Sequence, residues 1–240
     1  MKKGILPCLM LLLFTGFSCL FGQTESEEKS IWEQLIEKRN PLKPIGFGFD
    51  SEWIAVKTTE TEKLLQVLDL KNLEKSNWVE GTLKTNKGYV FVLPPVGGWI
   101  LISSFDLPSP DSRDEKEASR SRALLNQLSK SFGEAQMFGS LRSSSSAFWM
   151  KSVNGSIERL YSIVRNHSTI EGKPTPVEAS WTLFDSSSPD AETDEYWFSA
   201  LSPDMETVME VAESWSINPL KVETYKGLAE YGYTGILKKE

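Results

Sequence analysis

One histidine, His167, two cysteines, Cys8 and Cys19, and 33 acidic side chains are the material from which chemistry would have to be built. A general base needs a partner acid or nucleophile within hydrogen-bond reach. His167 stands in "RNHSTIEG", a run of loop-forming residues in which no such partner can be named. It reads as a solvent-exposed histidine where a strand gives way to a loop. Both cysteines fall in the first twenty residues, so the body has no disulfide, no thiol nucleophile and no thiolate metal site. A single histidine also excludes a multi-histidine zinc or copper centre within one chain. The serine runs 143–146 and 186–188 contain neither a G-x-S-x-G elbow nor an S-x-x-K motif with its companions. "PPVGG" lacks the lysine and serine spacing of a phosphate loop and lies between two strands. The acidic loop with Asp185, Asp190, Glu192, Asp194 and Glu195 carries the hard oxygen ligands calcium takes, without the EF-hand spacing. It reads as a solvated insert. Glycosidase chemistry needs only two carboxylates, and their abundance here selects no pair. No catalytic residue, metal or cofactor is assigned.

Eight tryptophans are the unusual excess. Most fall on apolar stripes or within strands, where core packing is the default, and Trp149 is singled out by its hairpin. Asn154-Gly155 is the preferred pair for a two-residue type I′ turn, whose central positions both need positive φ. Counting outward from that turn sets Lys151 opposite Glu158 and Trp149 opposite Leu160. Phe148, Met150, Ile157, Tyr161 and Ile163 then meet the core, and Trp149, Lys151 and Glu158 share a partly wet face. Those three residues are the expected binding surface, as a sugar-stacking platform or a protein-binding patch.

The formal net charge is −7, and loss of Lys2 and Lys3 with a leader makes it more negative. So acidic a chain is repelled by phosphate backbones, which disfavours nucleic acid as a partner, and it is not drawn to anionic lipid. "MKKGILPCLMLLLFTGFSC" has the layout of a secretory signal peptide. Its apolar run is well short of the roughly 20 residues that span a bilayer. Ser18 before Cys19 resembles a bacterial lipoprotein signal, in which the cysteine is lipidated, although Gly16 stands where an aliphatic residue is usual. Ordinary cleavage after Ser18 or Gly22 is the competing route. The expected organisation is a signal peptide over 1–22 (ending at 18 by the shorter route), a polar tether over 23–29 and one α+β domain over 30–240.

Ser30 with Glu33 is a capping-box pattern that opens a helix carrying Trp32, Leu35 and Ile36. A strand is expected near Trp53 to Lys57, then a helix through "TEKLLQVLDLKNLEKS" with Thr61 as its cap. Two apolar runs flank "PPVGG" as central strands covered on both faces. A helix is expected from about Glu115 to Phe132, with Gly133 to end it. The hairpin follows, then a polar loop from His167 to Ala179. "ASWTLF" and "YWFSAL" read as strands. The clearest helix is "SPDMETVMEVAESWS", capped by Ser202 with Pro203 first, and "INPLKVE" restarts with Asn218 as cap.

"LSKSFGEAQMF", the tryptophan-containing Asn-Gly hairpin and "AESWSINP" near the C-terminus resemble, in that order, a loosely defined group of bacterial proteins. The resemblance covers the last half of the chain. It implies one compact domain and brings no activity or site residue with it. The fold expected is α+β: a mainly antiparallel sheet of about six to eight strands with three or four packed helices. The function expected is that of an exported, non-catalytic protein of the periplasm or cell envelope, bound to a protein partner and reaching a membrane only through a lipid on Cys19. An immunity-like or accessory role would fit. The alternative is a carbohydrate-active protein, either a sugar-binding module or a two-carboxylate glycosidase.

Overall fold

The run "EWIAV" is buried along its whole length, with alternate side chains sent to opposite sides. This strand, β1 (Glu52–Val56), is the middle of an antiparallel sheet. The computed structural model describes residues 29–48, 50–110 and 113–238. The leader, Cys19 and the tether through Glu28 lie outside the described residues.

Nine strands form the sheet: β1, β2 (Lys71–Asn77), β3 (Val90–Val92), β4 (Ile100–Ser104), β5 (Glu134–Leu141), β6 (Ser146–Val153), β7 (Ser156–Val164), β8 (His167–Glu171) and β9 (Tyr231–Ile236). Their spatial order is β2-β9-β3-β4-β1-β5-β6-β7-β8. Trp53, Ala55, Phe138 and Trp149 send their side chains to one face, where helix α6 (Met205–Trp215) and helix α3 (Trp78–Lys84) cover them. Ile54, Val56, Met137 and Met150 go to the other face, under α2 (Thr61–Leu68) and α4 (Glu115–Phe132). The result is an antiparallel sheet with helices on both faces, larger and richer in helices than expected. Near-continuous apolar strands follow from that double cover. No helix among the described residues is long and apolar enough to cross a membrane.

Local signals held where the chain decides its own conformation. Helix α1 (Ile31–Glu37) opens on the Ser30–Glu33 capping box, and α4 ends at Gly133, which takes φ +86°. Four assignments are corrected. The expected helix after Thr61 stops at Leu68, because Asp69 turns left-handed at φ 45°, and the next residues pair with β9 as edge strand β2. His167–Glu171 is strand β8, folded back onto β7 through a turn in which Arg165 has φ 57°. "YWFSAL" contributes to α5 (Asp194–Ser199), capped by Thr193. Asp204, not Ser202, caps α6, its carboxylate accepting from Thr207 N at 2.9 Å.

The hairpin register is the fifth correction. Asn154 and Gly155 adopt φ 49° and 88°, and Val153 pairs with Ser156 as the turn requires. A bulge follows between Lys151 and Ser152, so Lys151 pairs with Arg159 and Trp149 with Tyr161. One extra residue on β7 sends every side chain beyond it to the opposite face. Tyr161 and Ile163 therefore join Trp149 in the α6-side core, while Phe148 and Met150 lie on the α4 side.

Candidate functional site

At one end of the α6-side face, the registers of β3, β4, β1 and β5 set Phe91, Ser103, Trp53 and Phe138 in one row. Ser51 precedes β1 and lies one step along the same face, its carbonyl accepting from Ser140 N at 3.3 Å. Segment 45–48 crosses above this row. Phe47 meets Trp53 edge-on, with ring centroids 6.1 Å apart. Gly48 has φ +131°, a backbone conformation that L side chains rarely adopt and glycine takes freely.

Between this floor and α1 and α3 is a cavity of about 360 Å³, within the roughly 300–1,000 Å³ range of small-ligand sites. Its walls are mainly aromatic and aliphatic, with Trp32, Phe47, Phe91 and Phe105 among them. Ser51, Ser103 and Thr82 supply hydroxyls. Ser51 is 5% exposed, and its Oγ has no hydrogen-bond partner among the described residues. The buried Trp53 Nε1 and Ser140 Oγ nearby are likewise unpartnered. Buried polar groups are nearly always paired, so three orphans in one neighbourhood are unusual.

Helix α1 forms the outer wall. Trp32 and Ile36, one turn apart, face the cavity, and Trp32 meets Phe105 edge-on at 6.1 Å. Ile31 and Leu35, also one turn apart, point to solvent and are 78% and 58% exposed. No α1 residue is fully buried. The helix is tied down by Asn86 Nδ2 donating to Glu33 at 3.3 Å.

Among the described residues, Asp50 is the charged side chain in the cavity lining. Asp50 accepts from Arg142 N at 2.8 Å and from the Arg142 guanidinium at 3.3 Å. The backbone hydrogen bond, more than the charge, holds its carboxyl below the usual range. Glu33 is likewise held low, first by the Ser30 amide that it caps. No lysine, arginine or histidine lines the cavity among the described residues.

The residues singled out from sequence lie elsewhere. Trp149 is fully buried and stacks on Tyr161 at 4.8 Å, its Nε1 donating to Glu178 at 3.0 Å; it is no part of an exposed surface. Lys151 pairs with Glu134 at 2.8 Å instead of Glu158, and its ammonium lies over the Trp215 ring. Glu158 is exposed at the bulge. His167 shares an open cavity of about 770 Å³ with Glu192, Asp194 and Trp197. There the flanking serines bond each other, Ser186 N donating to Ser168 Oγ at 2.8 Å. No hydrogen bond joins His167 to a serine or carboxylate among the described residues, so no nucleophile–base pair is set up. No described group of three or more His, Cys, Asp or Glu is placed to hold a metal ion.

No family model, curated protein or solved structure matches this chain. The cavity must therefore be judged on its own geometry. Sequence reasoning missed Ser51, Ser103 and Phe105, although one signal was present. Four of the seven residues of α1 are large and apolar, too many for the single stripe so short a helix can bury.

Proposed function

We propose that the protein is an exported, non-catalytic binding protein of the cell envelope, holding a protein partner on the face formed by α1 and the rim of its cavity. The observation that carries this reading is the contiguous exposed apolar set Ile31, Trp32, Leu35 and Phe105 around a preformed cavity. Isolated exposed apolar residues are ordinary, whereas a patch with a polar rim marks an interaction site. The partner that fits is a protein presenting an apolar ridge flanked by basic residues. Glu33 and Asp50 stay ionised beside the cavity, and the whole chain carries −7. With Cys19 as a lipid anchor, the eleven residues from Leu20 to Ser30 reach at most about 40 Å at roughly 3.5 Å each. That leash would keep α1 close to the membrane surface and its partner within the envelope.

The test is crosslinked capture from the native envelope. Wild type is compared with an Ile31→Glu/Leu35→Glu variant and with Phe198→Glu, which alters an 85% exposed residue on α5. The α1 variant should lose the partner by at least tenfold, and the α5 variant should keep it. Capture of the same partner by the α1 variant would contradict the reading. A second reading, carbohydrate binding, draws on half-exposed Trp197 beside His167, Glu192 and Asp194, since an aromatic face next to polar groups suits a sugar. Absence of any protein partner, together with glycan binding lost on Trp197→Ala, would favour it.

A further inference from the structure

The cavity behind α1 constrains what can enter it more tightly than the patch around it does. Four aromatic rings line it, and among the described residues no cation does and the buried Ser51 hydroxyl at its floor has no partner. An apolar occupant would leave that hydroxyl orphaned, and a wholly polar one would lose its hydration against ring faces. A carboxylate or phosphate would find no cation in the described lining, and the nearby Arg142 guanidinium is engaged by Asp50. We infer that the cavity takes a neutral, ring-sized apolar group with one hydrogen-bonding end that pairs with Ser51 Oγ, a phenol being the simplest case. The inference rests on the reading of this face as a binding surface, and the group it describes is the partner's anchor, a tyrosine side chain in chemical terms.

The probes are p-cresol, toluene and 4-methylbenzoate, which share one ring size and differ in the polar end. Titration of the purified protein, followed by ligand-observed NMR, should show saturable binding of p-cresol. Toluene should bind about 3- to 10-fold more weakly, as expected for one net hydrogen bond, and 4-methylbenzoate at least tenfold more weakly. Ser51→Ala should make p-cresol and toluene equivalent. Thr82→Phe, which fills the cavity from a half-buried position on α3, should abolish binding of both, with unchanged circular dichroism as the folding control. No saturable binding to wild type would overturn the inference. So would a p-cresol preference that survives Ser51→Ala, or benzoate binding equal to that of p-cresol. These outcomes are separable from failure of the docking reading, because Ile31 and Leu35 do not line the cavity and their substitution leaves p-cresol binding in place.

Discussion

Two polar groupings lie buried on the same face of the same sheet and are built in opposite ways. Both oxygens of the Glu178 carboxylate are paired, although Gln136 Oε1 farther along the face has no partner among the described residues. The carboxylate accepts from Trp149 Nε1 at 3.0 Å, from Arg159 Nε and Nη2 at 2.9 and 2.6 Å, and from Thr175 N and Oγ1 at 2.8 and 2.7 Å. The other guanidinium nitrogen of Arg159 donates to the carbonyls of Glu171 and Gly172 at 3.2 Å. At the opposite end of the row, Ser51 Oγ, Trp53 Nε1 and Ser140 Oγ have no partner among the described residues. A closed network fixes one arrangement of the chain, here the return of segment 172–184 over β6 and β7. An open one costs stability wherever it is buried and is tolerated where a ligand completes it. The difference separates a closed polar network from an open one on the same face.

The largest expected loss of stability comes from breaking the closed network. Burial pushes the Glu178 carboxyl up, but the hydrogen bonds from Arg159 and Thr175 outweigh it and hold the group below its usual value. Its contribution is therefore present above the unfolded carboxylate range and is lost as pH falls through the depressed folded value. Glu178→Ala should cost about 3–5 kcal/mol by chemical denaturation at pH 7, since it leaves a buried guanidinium without its counter-charge. A loss below about 1 kcal/mol would show that the network does not fix the fold.

An effect of opposite sign is expected on the other side of β1. Glu52 is 8% exposed, and burial first, then the nearby Glu117 and Asp106, raises its pKa to about 8. A carboxyl raised in the folded state contributes stability that is full below about pH 4.5 and lost as pH rises through about 8. Glu52→Gln removes that dependence. The variant should match wild type near pH 4.5 and exceed it by on the order of 5 kcal/mol above pH 8, the difference between about 8 and 4.5 at about 1.4 kcal/mol per pK unit. Parallel stability–pH curves for the two proteins would show that Glu52 titrates normally.

What was legible in the sequence divides along the same physical line. Caps and tight turns are local, and so the Ser30–Glu33 box, the end of α4 at Gly133 and the Asn154-Gly155 turn could be read from their own residues. Strands β2, β8 and β9 owe their existence to partners. "KNLEKSN" is charged and exposed along most of its length, and it is a strand because β9, more than 150 residues away, offers it a ladder. The C-terminal "YGYTGI" drew no assignment at all, for its two glycines argue against a strand until the packing is known. Gly232 sits where a Cβ would lie 2.3 Å from the Val92 carbonyl. The bulge opposite Lys151 has no composition signal, and its extra residue carried Tyr161 and Ile163 to the face of Trp149, which is core because α6 and the segment around Glu178 cover it. The candidate site was illegible for a related reason. Ser51, Trp32 and the Ser103–Phe105 segment lie on three separate stretches of chain, and only the strand order and the placement of α1 bring them together.

The most direct test of the account measures the stability and the binding of Ser51→Ala in one preparation. If the orphan hydroxyl serves a ligand and not the fold, urea denaturation should show stability unchanged or raised by up to about 1 kcal/mol, with the p-cresol preference over toluene gone. A stability loss above about 1 kcal/mol with that preference intact would contradict it and place Ser51 with Glu178, among the residues that hold the chain together.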